Sequence, residues 1–390
     1  MAEYPFVRMG DFLRERKEFI TIDDMEAYKR AKVQWYGKGT ILRDKVPGVE
    51  IKTKKQQVIR TNEFVVAEID AKDGSFGVTP EELDGAIVSS HYFVYEIDQN
   101  LCLPSYLEWY VRTNNLQALV KAQGSTNYSA IRSYTVYDYE IPLPSLEEQR
   151  RIVRYIESMV PQITEAQRLR KEADVEAEAF YHSALAAAIP WNKNLVSLLE
   201  TIETGTTITY GVLVPGVNIE DGVPFVRVQD LDLHNPNPKP NKRIAPEISQ
   251  QYKRTLLQGG EILIGVVGSI GKIGIAPMAW KGANIARAVC RIIPSKNVDT
   301  KYLAYVLQSS SSQKYFRDAT RTLAQPTLNV RQLEQAPIPV PPLDEQRRIV
   351  AYLDGLQAKV NALGELQSAS GEELSALMPS VLDRAFNGEL

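Results

Sequence analysis

Between Ser145 and Pro190 the apolar side chains advance in steps of four and three: Ile152, Ile156, Met159, Ile163, Ala166, then Ala173, Ala177, Phe180 and Ala184. That spacing draws a heptad seam along one side of a helix, interrupted by Arg170. Ser145 stands where an N-cap belongs, with Glu148 three residues on as in a capping box. Pro161 predicts a local kink rather than a break, and Pro190 ends the pattern. A second seam follows Pro341 and Pro342, at Ile349, Leu353, Leu356, Val360, Leu363, Leu374, Leu377 and Val381, with a weak point at Ser368-Ala369-Ser370-Gly371. Helices of about 40 residues reach about 60 Å, and seams of that length must be buried. Each is the nearest cover for the other, so an antiparallel pair is expected. Two unrelated surface helices, or one helix packing on each globular domain, are the weaker alternative.

The two seams begin with nearly the same words, IPLPSLEEQRRIVRYI from Ile141 and IPVPPLDEQRRIVAYL from Ile338, an offset of 197. Further anchors keep step: Glu63 with Glu261 at 198, Pro80 with Pro277 at 197, Tyr106 with Tyr302 at 196, and Leu185 with Leu382 at 197. A constant offset through globular and helical parts alike marks a tandem duplication. Between the seams lie strand-like stretches, IVSSHYFVYEID and EILIGVVGSI, and helical ones, SYLEWYVRTNNLQALVKAQ and KYLAYVLQSSSSQKYFRDA. The expected fold is α+β: two small mixed α/β domains separated by two long helices packed as an antiparallel coiled coil, in a pseudo-two-fold tandem repeat. The boundaries read as a globular domain over 1–144, a long helix over 145–190, a second domain over 191–341 and a second helix over 342–390. Outside the anchors the copies hardly match, so a shared frame carries different loops, as expected where loops do the recognising.

Composition excludes more than it assigns. No apolar run approaches the roughly 18 residues of a membrane span, and the opening MAEYPFVRMGDF has no signal-like apolar region. Cys102 and Cys290 stand alone and far apart, which fits a reducing compartment and predicts a cytoplasmic protein. The net charge of −3 is unevenly shared. Residues 1–144 carry 18 basic against 21 acidic side chains, whereas 194–336 carry 16 against 11. A chain gripping DNA unaided would be more basic, so either it binds no DNA or partners share the phosphate contacts.

No catalytic constellation emerges. GVVGSIGKIG at 265–274 is not a Walker A loop, because position 266 is Val where a Gly is needed, nor is it a dinucleotide fingerprint. It reads as a hairpin turn whose glycines could bring backbone close to phosphate. Asp44, Glu50 and Lys52 faintly resemble a nuclease carboxylate pair with its lysine, a combination common by chance. His91, His182 and His234 lack metal-ligand spacing, and Asn235-Pro236-Asn237-Pro238 lacks the adjacent prolines of a base amino-methylation motif. Basic side chains gather instead in predicted loops: Lys38, Arg43, Lys52, Lys54, Lys55 and Lys72 in the first half, and Lys239, Lys242, Arg243, Lys253, Arg254 and Lys272 in the second. With Ser269 of the glycine loop, these are the candidates for phosphate or base contacts.

The twice-written I-P-[LV]-P-x-L-x-E-Q-R-R-I-V, each copy followed by a long helix, resembles the conserved regions of type I restriction–modification specificity subunits. So do GEILIGVVGSIGKIGIAP, AEIDAKDGSFGVTPEELDGAIVSS and the closing LMPSVLDRAFNGEL. The resemblance implies two target-recognition domains, each reading half of a split sequence in double-stranded DNA. It implies a helix pair that fixes the unread spacer and docks two modification subunits, with restriction subunits able to join. By the same resemblance the chain is not itself an enzyme and holds no cofactor. S-adenosylmethionine would sit on the adenine-methylating subunit, and ATP and Mg²⁺ on a restriction subunit. Glu148, Gln149, Arg150 and Arg151, with Glu345, Gln346, Arg347 and Arg348, are then the docking candidates. A structural role for them, capping each helix and pinning it to its domain, is equally open. The alternatives are the specificity chain of a system whose partner fuses nuclease and methyltransferase, and a coiled-coil scaffold that binds no DNA.

Overall fold

A computed structural model describes residues 4–120, 131–237, 239–320 and 327–390. Two stretches of the sequence reading, the helix tail at 121–123 and Pro238, lie outside the described residues. The chain divides into two compact units, one of residues 1–170 with 368–390, the other of residues 171–367.

In the first unit a four-stranded antiparallel sheet forms the centre, in the order Leu13–Arg16, Tyr92–Ile97, Phe64–Ala67, Phe76–Val78. Phe64, Val66 and Tyr95 face a core shared with Met9, Phe12, Tyr106, Leu107 and Tyr110. Beside it Phe6–Arg8 pairs with Glu140–Pro142, closing the domain just before the long helix. A second sheet of five strands follows the order Phe19–Thr21, Lys55–Val58, Ile87–Val88, Ala27–Val33, Thr40–Pro47.

The second unit repeats the first of these sheets strand for strand: Thr209–Tyr210, Val289–Ile292, Ile262–Gly265, Ile273–Ile275. The closing pair recurs as Leu195–Ser197 with Pro337–Pro339. Local chemistry recurs with it. Glu63 accepts the Arg60 N–H at 2.6 Å, and Glu261 accepts the Gln258 N–H at 2.7 Å, both carboxylates buried. The residue before each adopts a left-handed backbone, Asn62 at φ 65° and Gly260 at φ 92°, a conformation that Asn and Gly tolerate best. The remaining sheet recurs only in part. In place of five strands there are three, Lys242–Ile244, Val223–Val226 and Asn284–Ile285, which repeat the antiparallel and parallel pairings of Thr40–Pro47, Ala27–Val33 and Ile87–Val88, while Phe19–Thr21 and Lys55–Val58 have no counterpart in that sheet among the described residues. Each globular half thus holds more strands than its sequence suggests. Its predicted single helix is also two: Pro104–Val111 and Asn114–Leu119 in one copy, Thr300–Gln308 and Ser310–Thr320 in the other.

The long helices run Leu146–Ala188 and Leu343–Phe386. The first continues through Pro161, and the second through Ser368–Gly371. In the first unit Ile152, Val153 and Ile156 pack against Val381, Leu382, Ala385 and Phe386. In the second, Tyr181, Leu185 and Ile189 pack with Ile349 and Leu353. The start of each helix therefore meets the end of the other, and the pair is antiparallel. Two irregularities of the seams meet as well, since a β-carbon on Gly371 would lie 2.7 Å from the Arg170 guanidinium. Two expectations fail. Phe180 is 60 % exposed while Tyr181 is buried, so the seam shifts by one residue near that end. Ser145 Oγ does accept the Glu148 N–H, at 3.4 Å, but the Glu148 carboxylate turns to Tyr4 and Arg151 instead of completing a capping box.

What fixes each helix to its domain is a buried glutamine. Gln149 is fully buried; its carbonyl accepts the Leu103 N–H, and its amide donates to the carbonyls of Leu101 and Pro144, each at 2.8 Å. Gln346 is equally buried, accepting from Asp299 N–H at 2.8 Å and donating to Asn297 at 3.3 Å and Pro341 at 2.8 Å. The phenols of Tyr106 and Tyr302 donate to Pro142 and Pro339 in the same relation. Truncation would leave three backbone groups without their partner at once, one of them fully buried, so Gln149→Ala and Gln346→Ala should each cost about 2–3 kcal/mol. Denaturant unfolding checks this, with the exposed Arg150→Ala and Arg347→Ala as controls expected to stay within about 0.5 kcal/mol of the parent.

Candidate nucleic-acid interface

In the first unit the divergent sheet carries a hairpin, Ala27–Val33 with Thr40–Pro47, kinked by a bulge at Arg30 and Ala31. Residues 27–47 hold six basic side chains and one acidic one, in a domain whose net charge is negative. The single carboxylate is neutralised locally. Arg30 donates twice to Asp44, both at 2.7 Å, and this holds the Asp44 carboxyl below its ordinary range. Lys29 and Lys45 face each other across the strands. Like charges directly opposite are destabilising in isolation, and a surface that keeps them is suited to an anion. Trp35 and Tyr36 stand exposed near the hairpin tip, Tyr36 with a left-handed backbone at φ 60°.

The predicted cations of this unit are scattered around that hairpin. Lys38 lies at its turn and Arg43 on its second strand, both exposed. Lys52 is an exposed loop residue. Lys54 pairs with Asp24 and donates to the Gly48 carbonyl, and the Lys55 ammonium sits 4.8 Å above the Phe19 ring. Lys72 lies apart, in a short turn. The sequence reading missed Lys29, Lys32 and Lys45, because strand residues in an alternating pattern resemble an ordinary solvated face. The nuclease grouping fails: Asp44 is committed to Arg30, and no cluster of His, Cys, Asp and Glu among the described residues could hold a metal.

In the second unit several of the predicted side chains also make intramolecular hydrogen bonds. Lys242 and Arg243 lie on a strand, not in a loop, and donate to the carbonyls of Gly216 and Gly222. Lys272 donates to the Gln229 carbonyl at 3.1 Å. Lys253 and Arg254 are exposed in a short turn. The glycine segment is the hairpin turn between Ile262–Gly265 and Ile273–Ile275. Its Gly265 N–H is taken by Lys272 and its Gly271 N–H by Gly265, which leaves neither for phosphate. Ser269 is exposed at the tip. His234, half-buried, is pushed by burial below its ordinary pKa and sits 3.3 Å from the Tyr181 hydroxyl, in a cluster where Tyr305 and Lys301 both donate to Asp354.

The docking candidates divide. Gln149 and Gln346 are interior clamps and present nothing to a partner. Glu148 accepts from Tyr4 at 2.8 Å and from Arg151 at 2.6 Å, and the Arg151 hydrogen bond holds its carboxyl low. Glu345 pairs with Lys193 at 3.3 Å. Arg150, Arg151, Arg347 and Arg348 are exposed. Two aromatic residues that the sequence reading passed over join them: Tyr155 and Tyr352, offset by 197, are 40 % and 54 % exposed.

Comparison with known proteins agrees with this architecture. No helix among the described residues is long and apolar enough to cross a membrane. The chain is 26 % identical to the EcoBI specificity subunit of Escherichia coli over 82 % of its own length and 72 % of that protein's. It is 20 % identical to the MjaVIII specificity subunit of Methanocaldococcus jannaschii, over 100 % and 93 % respectively. Among solved structures, the HsdS subunit from Thermoanaerobacter tengcongensis matches at TM-score 0.67 with 26 % identity, covering 100 % of this chain and 98 % of that one. A chain from a study of assembly and conformational transition in the type I restriction–modification system matches at TM-score 0.76 with 27 % identity, covering 100 % and 99 %. The family model described as the type I restriction modification DNA specificity domain matches twice, over residues 1–175 and 197–368. With two copies of that domain, the clamped helices and matching structures over its full length, this chain belongs to the type I restriction–modification specificity subunits.

Proposed function

We propose that this chain is the non-catalytic, sequence-reading member of its assembly, each globular unit contacting one half of a bipartite double-stranded DNA target. The observation that carries the reading is one frame used twice with unlike sheets built on it. A sequence-independent binder needs no second, dissimilar surface. The basic hairpin of the first unit supplies phosphate contacts there, and modification subunits supply the rest. S-adenosylmethionine and adenine methylation belong to those subunits, while ATP and Mg²⁺ belong to restriction subunits where they join. Purified alone, the chain should transfer no methyl group, and methylation by it would end this reading.

Two modification subunits would dock on the twice-written block. Its outward members are Arg150, Arg151 and Tyr155 in one copy, and Arg347, Arg348 and Tyr352 in the other. Tyr and Arg are the side chains that most often anchor interfaces. Tyr155→Ala should therefore lower the complement of modification subunits from two to one, and the double variant with Tyr352→Ala should abolish assembly. Native mass spectrometry of the complex reads this directly; full assembly of the double variant would refute the docking site.

The repeat also predicts how half the chain behaves. Met378, Leu382 and Phe386 cover the first helix in the first unit, and their equivalents 197 residues earlier are Tyr181, Leu185 and Ile189. Residues 1–190 should dimerise by lending these to a second copy, and with the modification subunit should methylate a palindrome of one half-sequence. A monomer at tens of micromolar would contradict this. The helix pair would set the spacer between half-sites. Four residues inserted into both helices, near Ala173 and Ser370, add about 6 Å and should lengthen it by about two base pairs. Methylome sequencing measures the change, and an unaltered spacer in a folded double insertion would discount the helices as its determinant.

A further inference from the structure

The second unit contains an open cleft of about 570 Å³ between the 212–215 segment and the glycine hairpin, and no carboxylate lines it. Arg287 stands on its wall. The backbone there is held on several sides: Arg287 N–H donates to Val212 at 3.0 Å, Ala286 N–H to Val226 at 2.8 Å, and Ala288 accepts from Val266 at 2.8 Å. The side chain, by contrast, is exposed and makes no hydrogen bond or ion pair among the described residues. Other arginines nearby are occupied, Arg227 by Asp230, Arg243 by Gly222, and Arg291 by Leu256. A rigid mount with a free donor fork is the arrangement that bidentate recognition requires.

The neighbours indicate what the fork meets. Gln229 is exposed on the cleft with both amide donor and acceptor available, and Leu213, 56 % exposed, adds an apolar wall. A phosphate offers acceptors alone and has no use for an acceptor or an apolar surface. The major-groove edge of a base pair offers acceptors, donors and a methyl group together. The repeat supplies an independent observation. In the first unit the same frame bond runs from Glu68 N–H to His91 at 2.8 Å, which places Ser90 where the second unit has Arg287. One position of a duplicated mount, held by the same bond, thus carries a serine in one copy and an unpaired guanidinium in the other.

Resting on the reading of the chain as a two-half DNA reader, we infer that Arg287 determines specificity in the second half-site. It reads a guanine through N7 and O6, with Gln229 contacting a base beside it. The test uses the full chain assembled with its own modification subunit and a library of synthetic duplexes randomised at both half-sites. The parent complex should require guanine at one position that Arg287→Ala accepts as any base, discrimination there falling about tenfold or more. The other half-site should be unchanged. Arg287→Lys, which keeps the charge but loses the fork, should not restore the preference. Unchanged selection by Arg287→Ala overturns the assignment. So does a uniform loss of affinity with a shallower salt dependence, the signature of a phosphate contact. A parent complex that selects no bipartite sequence would instead bring down the functional reading itself.

Discussion

Everything positional in this protein depends on how a globular domain is joined to the helix that leaves it, and the joint is a buried amide. Gln149 and Gln346 each satisfy one N–H and two carbonyls of their own domain from the first turns of a long helix. Buried polar groups are expensive when unpaired and directional when paired. The joint therefore fixes an angle as well as a contact, which a patch of leucines would leave free to slide. Apolar packing then adds strength on either side, through Ile152 and Phe386 in one unit and through Leu185 and Leu353 in the other. A reader of split DNA needs such a joint, because a surface that swivels on its helix cannot hold register with one half-site while the other is read.

The long helices and the duplication were legible because both rest on signals that survive divergence. Heptad spacing spans about nine turns of each helix with a single interruption, and the E-Q-R-R-I block is copied almost letter for letter. The fine structure of the seam was less legible. Phe180 and Tyr181 are both large and adjacent, and only the neighbouring Ile189, Ile349 and Leu353 decide which is covered. The role of Gln149 was hidden for a different reason. A glutamine flanked by Glu and Arg at a helix start looks solvated, and its burial depends on the Leu103 N–H and the Leu101 carbonyl, contributed from 46 and 48 positions earlier.

The variable sheets were harder still. Lys242–Ile244 and Asn284–Ile285 are too short to show a period, and Ala27–Val33 carries its charges on a strand whose alternation reads as an ordinary edge. Lys242 and Arg243, assigned to a loop from composition, are therefore strand residues with backbone carbonyls to hold. Local charge was equally misleading at the level of the whole domain. A globular half with more acidic than basic residues still presents a hairpin with six basic residues against one, because its carboxylates are spent elsewhere, as Glu63 and Glu18 are on Arg16 and Arg60.

The same accounting runs the other way in the second unit, and it bears on what positive charge means there. The surplus of five basic residues over 194–336 suggests a phosphate-gripping face. Yet Lys242, Arg243, Lys272 and Arg291 give their donors to backbone carbonyls, tying strand to turn where hydrogen-bonding backbone would otherwise be exposed. A cation used in this way adds to the long-range field that draws DNA in, while the donor it gives to the backbone is not available to a phosphate or a base. Affinity and specificity are thereby assigned to different side chains of like charge. The tied cations supply a field that is blind to sequence, and discrimination falls to those few donors, Arg287 foremost, that the fold holds in place by their backbone and leaves unpaired at the tip.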